Sequence, residues 1–176
     1  MTKTPTVRPT IGLFGYLFSP DGKLLVKRRG KDESLPGDWD LPGGGAEEGP
    51  VSAAKDEEVI FRELMREIHE ELGCDIAIAL YIPSFTAPKM HPAVIAGGKD
   101  WAFGINVGTI SSTPRVEEGV EWKLVSPEEL DKLANGPVGN RLVSGPGKRM
   151  HRLCIIGFAE YSPNGVYREQ AYEKLL

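Results

Sequence analysis

The sequence predicts an α/β (α+β) fold, a mixed β-sheet sandwiched between helices. Three observations lead there. Apolar residues at Phe61, Leu64, Met65, Ile68 and Leu72 recur at helical spacing and make one stripe to bury. Residues 10–19, 101–110 and 121–125 are short, apolar, aromatic-containing runs of the kind that sheets bury. Turn residues such as Pro20, Asp21 and Gly22 punctuate these runs, so strands and helices interleave along the chain.

In order, residues 1–9 form a polar arm. Residues 10–19 (TIGLFGYLFS) are apolar on both alternating faces and predict a central strand. Pro20-Asp21-Gly22 turns the chain, Pro presetting one dihedral and Gly releasing another, and 23–29 (KLLVKRR) pair back as the second arm of a hairpin. Lys27, Arg28 and Arg29 at its end either meet a phosphate or solvate an edge strand. Residues 30–38 are a polar loop, and the run Leu41-Pro42-Gly43-Gly44-Gly45 predicts a further loop, not a strand interior. The helix over 61–72 ends at Gly73, which can take the left-handed conformation that closes a helix.

Residues 75–83 read as another strand. Residues 84–100, with Pro88, His91, Pro92 and Gly97-Gly98, predict a long irregular segment of the kind that often selects substrate. Strands follow at 101–110 and 121–125, the latter placing Trp122 in the core. Between them lies an acidic bend with Glu117 and Glu118. Ser126-Pro127-Glu128-Glu129 starts a short helix: Ser caps, Pro enters the first turn and Glu129 closes a capping box. Residues 136–147 form a loop, 148–159 a final helix packed on the sheet, and 160–176 an extension over the core or a second subunit.

With 176 residues, 40% hydrophobic and 26% charged, the chain is expected to be one domain over 1–176 with a substantial core. A net charge of −4 argues against a general nucleic-acid surface. Two cysteines, Cys74 and Cys154, have no metal or disulfide spacing and read as apolar filling. With no apolar run of membrane length and no signal-peptide pattern at 1–10, a cytoplasmic protein is expected.

The chemistry concentrates at the end of the helix. Glu67, Glu70 and Glu71 lie at i, i+3 and i+4, so the three carboxylates project together and repel one another. A solvated acidic face balanced by Arg62 and Arg66 would account for that spacing alone. The glycine run upstream favours a cation, because a glycine loop beside the helix can add a backbone carbonyl to the carboxylates. Hard oxygen donors on a rigid helix suit Mg²⁺, which usually shares its shell with substrate phosphates.

At this point the chain resembles the Nudix hydrolases. Their box ends in Arg-Glu, an apolar residue, any residue, Glu-Glu, any residue, Gly and an apolar residue, matched here by Arg66, Glu67, Ile68, Glu70, Glu71, Gly73 and Cys74. Trp39-Asp40-Leu41-Pro42-Gly43-Gly44 also resembles the family's approach to the box. The first glycine of the pattern would fall at Ser52. An insertion of about eight residues between Gly49 and Glu58 restores the register and makes Glu58, or its neighbour Glu57, the first Glu of the box.

The resemblance implies an α/β/α sandwich and a pyrophosphohydrolase acting on a nucleoside diphosphate linked to another group. It implies Mg²⁺, with Mn²⁺ able to substitute, held by Glu67, Glu70, Glu71 and the Gly44 carbonyl. Arg66 would orient Glu70, while the general base stays open among Glu67, Glu71, Glu117, Glu118 and Glu121. Arg28, Arg29 and Glu118 are the expected substrate contacts. His69, His91 and His151 are read as ordinary positions, and Trp39 and Trp101 as packing residues before base-stacking platforms. Two other readings stand beside the hydrolase: a nucleotide-binding regulator that no longer hydrolyses, which has no need of three adjacent carboxylates, and an isoprenoid diphosphate isomerase, for which Cys74 is poorly placed. Neither the substrate nor a homodimer through a sheet edge or the tail follows from the sequence.

Overall fold

The computed structural model describes residues 11–33, 35–45, 57–77, 89–95, 98–116, 120–143 and 149–176. Among them, eight strands share one mixed sheet. They are β1 (Ile11–Phe18), β2 (Leu24–Arg28), β3 (Trp39–Asp40), β4 (Gly43–Gly45), β5 (Ile76–Ala77), β6 (Lys89–Ile95), β7 (Gly98–Ile110) and β8 (Trp122–Val125). The order β3-β2-β1-β7-β5 forms the spine; β4 pairs with β1, β6 with β7 and β8 with β2. β1 and β7 run parallel and every other pairing is antiparallel.

The helices are α1 (Glu57–Leu72), α2 (Pro127–Ala134), α3 (Arg149–Tyr161) and α4 (Arg168–Leu175). β1 is central as predicted, and its two-residue period feeds two cores. Leu13 and Leu17 join Leu25, Ile105 and Val107 beneath Leu64, Ile68 and Leu72 of α1. Tyr16 and Phe18 join Leu24 and Val26 against Leu153, Cys154 and Phe158 of α3. Both cysteines are free and buried, as read. The predicted capping box on α2 is present: Ser126 Oγ accepts from Glu129 N, and Glu129 accepts from Ser126 N at 2.7 Å. Among the described residues no helix is long and apolar enough to cross a membrane.

Several expectations are corrected. Gly43–Gly45 is a strand, not a loop, in register with Gly12, Leu13 and Phe14. Its φ of +140° at Gly43, where a Cβ would collide with the Leu13 carbonyl, shows why glycine is needed: the two backbones approach too closely for any side chain. Part of the segment read as irregular is a hairpin of β6 and β7, with Ile95 opposite Gly98. Pro92 counts against a strand in the sequence. It lies on β6, which pairs with β7 alone among the described strands, and an edge strand tolerates proline.

β2 is not an edge strand either; β1, β3 and β8 all pair with it. α3 is not the final helix, because α4 follows it, docked through buried Ala171 and a Tyr167 ring set edge-on to Phe158. Trp122 is half-buried where the core was expected, as its strand carries three half-buried residues before Val125. α1 begins at Glu57, so one turn of helix precedes 61–72. Residues 46–56 and 78–88, which hold most of the proposed insertion and much of the strand read at 75–83, lie outside the described residues.

Candidate active site

The site is set by how closely α1 approaches the sheet. Leu64, Ile68 and Leu72 are fully buried and fix the helix's rotation. Ile68 lies over Gly15 of β1, where an added Cβ would sit 2.6 Å from its Cδ1. Gly73 ends the helix as predicted, with φ +52° and its N–H donating to His69 O at 2.9 Å. The Leu72 carbonyl accepts from Arg115 N at 2.7 Å, tying the helix end to the connection that follows β7.

That rotation separates the three carboxylates. Glu71 turns inward: Oε2 accepts the Gly43 N–H at 3.1 Å, and Oε1 lies 2.9 Å from Lys27 Nζ. Glu67 is half-buried and Glu70 exposed, and Arg66 holds both, at 2.7 Å and 2.9 Å. The Arg66–Glu70 contact is the one the spacing predicts, while Arg66–Glu67 is an addition. Gly44 is the next residue of β4 after the amide that touches Glu71, so glycine strand and carboxylate helix meet as the sequence suggests.

Electrostatics distinguish Glu71 from an ordinary surface acid. Burial raises its carboxyl above the usual value, while Lys27 and the Gly43 amide pull it back in part. Lys27 is buried too, yet Glu71, Glu33 and Asp40 keep it protonated and raise it despite burial. Asp40, opposite Lys27 in the β2–β3 register, is pushed up to about 6 by burial, against the pull of Arg29 and Lys27.

The predicted substrate arginines have structural partners. Arg28 donates from Nε to Gly37 O at 3.0 Å, from Nη2 to Gly139 O at 3.3 Å and from Nη1 to Glu121 Oε1 at 3.0 Å. It thereby straps two loops to β2 and occupies Glu121, one of the base candidates. Arg29 sits 3.6 Å from Asp40, and its buried Nε has no hydrogen-bond partner among the described residues. Glu117 and Glu118 lie outside the described residues, as do the side chains of Glu57, Glu58 and Trp101.

Trp39 is a packing residue: it is buried, donates to Asn140 Oδ1 at 2.9 Å and carries Lys123 Nζ 4.1 Å above its ring. His69 is exposed, His91 is on β6, and His151 lies 2.7 Å from Asp131. Sequence reasoning missed the Lys27–Glu71 and Arg29–Asp40 pairs. A signal existed in the alternation of 23–29, which puts Lys27 on the same side of β2 as Leu25, facing α1.

Carboxylate oxygens on one helix, with a backbone carbonyl beside them, suit a hard divalent cation in chemical kind. In the arrangement present they are committed to Arg66 and Lys27. Among the described residues no three His, Cys, Asp or Glu side chains are grouped to hold an ion.

A mixed sheet between helices, with a carboxylate helix against a glycine strand, defines an α/β/α scaffold with an acidic candidate site. The family model described as NUDIX domain matches residues 8–143. The chain belongs to the Nudix family. No curated protein matches it.

Solved structures agree on the fold. The ORF135 protein of E. coli is 19% identical with a TM-score of 0.58, over 91% of this chain and 98% of that one. The MutT protein of Methanosarcina mazei Go1 is 20% identical with a TM-score of 0.56, over 84% and 95%. A bifunctional NMN adenylyltransferase/ADP ribose pyrophosphatase from Francisella tularensis is 16% identical with a TM-score of 0.56, over 90% of this chain and 43% of its own length.

Proposed function

We propose that the protein hydrolyses, with a divalent cation, the diphosphate linkage of a nucleoside diphosphate joined to another group, such as a nucleotide or a sugar. The supporting observation is the Gly43 N–H to Glu71 hydrogen bond, which brings the α1 carboxylates and the glycine strand to one place. Glu67, Glu70 and Glu71, with the Gly44 carbonyl, would hold Mg²⁺ or Mn²⁺. Bound there, the ion supplies neutralisation of the diphosphate oxygens and acidifies water.

The rest is work for the chain's own residues. Arg66 spans Glu67 and Glu70 and holds both carboxylates on one side of α1. Glu71, raised by burial and fixed at both oxygens, is suited to accept a proton from water. The water oxygen bonds to phosphorus as the bridging P–O bond breaks, and the leaving phosphate departs with the bridging oxygen. Arg29, which follows β2 and is half-buried beside Asp40, would meet the substrate's phosphates.

One observation favours the non-hydrolysing regulator: the carboxylates are neutralised internally by Arg66 and Lys27. Product release from a nucleotide panel with Mg²⁺ or Mn²⁺ separates the two. Hydrolysis of one substrate class, abolished by EDTA and lowered about 10²- to 10⁴-fold in Glu71→Gln, is expected. Nucleotide binding with no turnover and no metal uptake would establish the regulator.

A further inference from the structure

Lys27 has a place in this site that the family reading does not require. Its side chain is only 9% exposed, with Nζ 2.9 Å from Glu71 Oε1 and 3.7 Å from Glu33 Oε1. A buried ammonium is costly unless paired, and here its close partner is a residue assigned to the divalent ion. Arg29 lies 3.6 Å from the neighbouring Asp40, which leaves Lys27 directed at Glu71 and Glu33.

We propose, resting on the function above, that Lys27 is the resident cation of Glu71. In the metal-free protein it holds that carboxylate against the Gly43 amide, and it competes with the divalent ion for the same negative charge. Two cations at one carboxylate repel each other, so each weakens the other's hold. The ammonium sits on a flexible four-carbon stem and has a second acceptor within reach in Glu33, whose side chain is 42% exposed. Lys27 therefore moves from Glu71 toward Glu33 as the divalent ion loads. It is a positioning residue: it acts on the reaction through Glu71.

The test is Mn²⁺ binding followed by electron paramagnetic resonance. Lys27→Met and Lys27→Gln are expected to bind Mn²⁺ about tenfold more tightly than wild type, and Lys27→Arg about equally. The gain disappears when Glu71→Gln is combined with either. Adding Mn²⁺ raises the melting temperature of Lys27→Met by more than that of wild type, since a tighter ligand stabilises more. Lys27→Gln keeps a donor for Glu71 while removing the charge, and serves where the methionine variant does not fold. Unchanged or weaker Mn²⁺ affinity in the neutral variants overturns this inference and leaves the proposed function standing. A wild type that takes up no Mn²⁺, or a Glu70→Gln variant that binds it undiminished, overturns the metal site and this inference with it.

Discussion

The two faces of β1 are built on opposite plans. Toward α1, β1 presents Gly15, and Ile68 of the helix takes the space its side chain would fill. Toward α3, β1 presents Tyr16, and the glycines are on its neighbours: a Cβ on Gly104 of β7 or Gly157 of α3 would run into the Tyr16 ring or hydroxyl. Tyr16 then donates to Leu153 O at 2.6 Å, its phenol held protonated by burial. One face brings a helix close so that Glu71 reaches a backbone amide and a buried lysine. The other keeps its helix at the distance of a large ring and fills the gap with aromatic packing. The candidate site is thus on the near face, while the far face supplies mainly packing.

The largest stability effect expected on the far face is Phe158→Ala. Phe158 is fully buried and meets Phe18 and Tyr167 edge-on, each at 5.8 Å. Removing it should cost about 3–5 kcal/mol in urea denaturation, from lost transfer energy and the cavity left behind. Turnover per folded molecule should stay at the wild-type level. A fall in that turnover would show that the faces are coupled.

On the near face, the buried Asp40 makes stability depend on pH with an unusual sign. Its carboxyl moves from the ordinary 3.8 to about 6 on folding, so the folded protein holds the proton more tightly than the unfolded chain. The stabilisation from that proton is complete below about 3.8 and is lost as the pH rises through about 6. At about 1.4 kcal/mol per unit the span is on the order of 3 kcal/mol. Measured against Asp40→Asn, wild type should lose stability between about pH 4 and pH 6 and then level off. A difference that grows in wild type's favour over that range would mean that Arg29 and Lys27 outweigh burial.

What the sequence revealed divides along the same line. The α1 stripe, the central β1, the Gly73 stop and the Ser126 cap were legible because each rests on local periodicity or on a side chain bonding to nearby backbone. The Arg66–Glu70 contact was legible for the same reason, being an i, i+4 pair. What was missed depends on distant segments meeting. Gly43–Gly45 becomes a strand because β1 comes alongside, and nothing within three glycines states that. Lys27 reads as a surface cation until α1 is laid across β2, forty-four positions away at Glu71. Pro92 counts against a strand until its edge position is known. The site's carboxylates were thus visible and their counter-ions were not.

The smallest expected effect sharpens the contrast most cleanly, because it touches neither core. Ser126 caps α2 on the far side, accepting the Glu129 N–H at 3.2 Å while Glu129 returns a bond to the Ser126 N–H. The same arrangement keeps the Glu129 carboxyl below its usual value, chiefly through that backbone bond. Ser126→Ala removes one half of the box and should cost about 1 kcal/mol. In a chain of this length that lowers the melting temperature by roughly 2–4 °C. Leu130 still anchors α2 in the far core, so only the first turn of the helix should fray. Mn²⁺ affinity and turnover should match wild type, since no residue of α2 lies among the Glu71 contacts. A shift in metal affinity would mean that the α2 end reaches the site through the β8–β2 pairing, and the division between the two faces would have to be redrawn at β2.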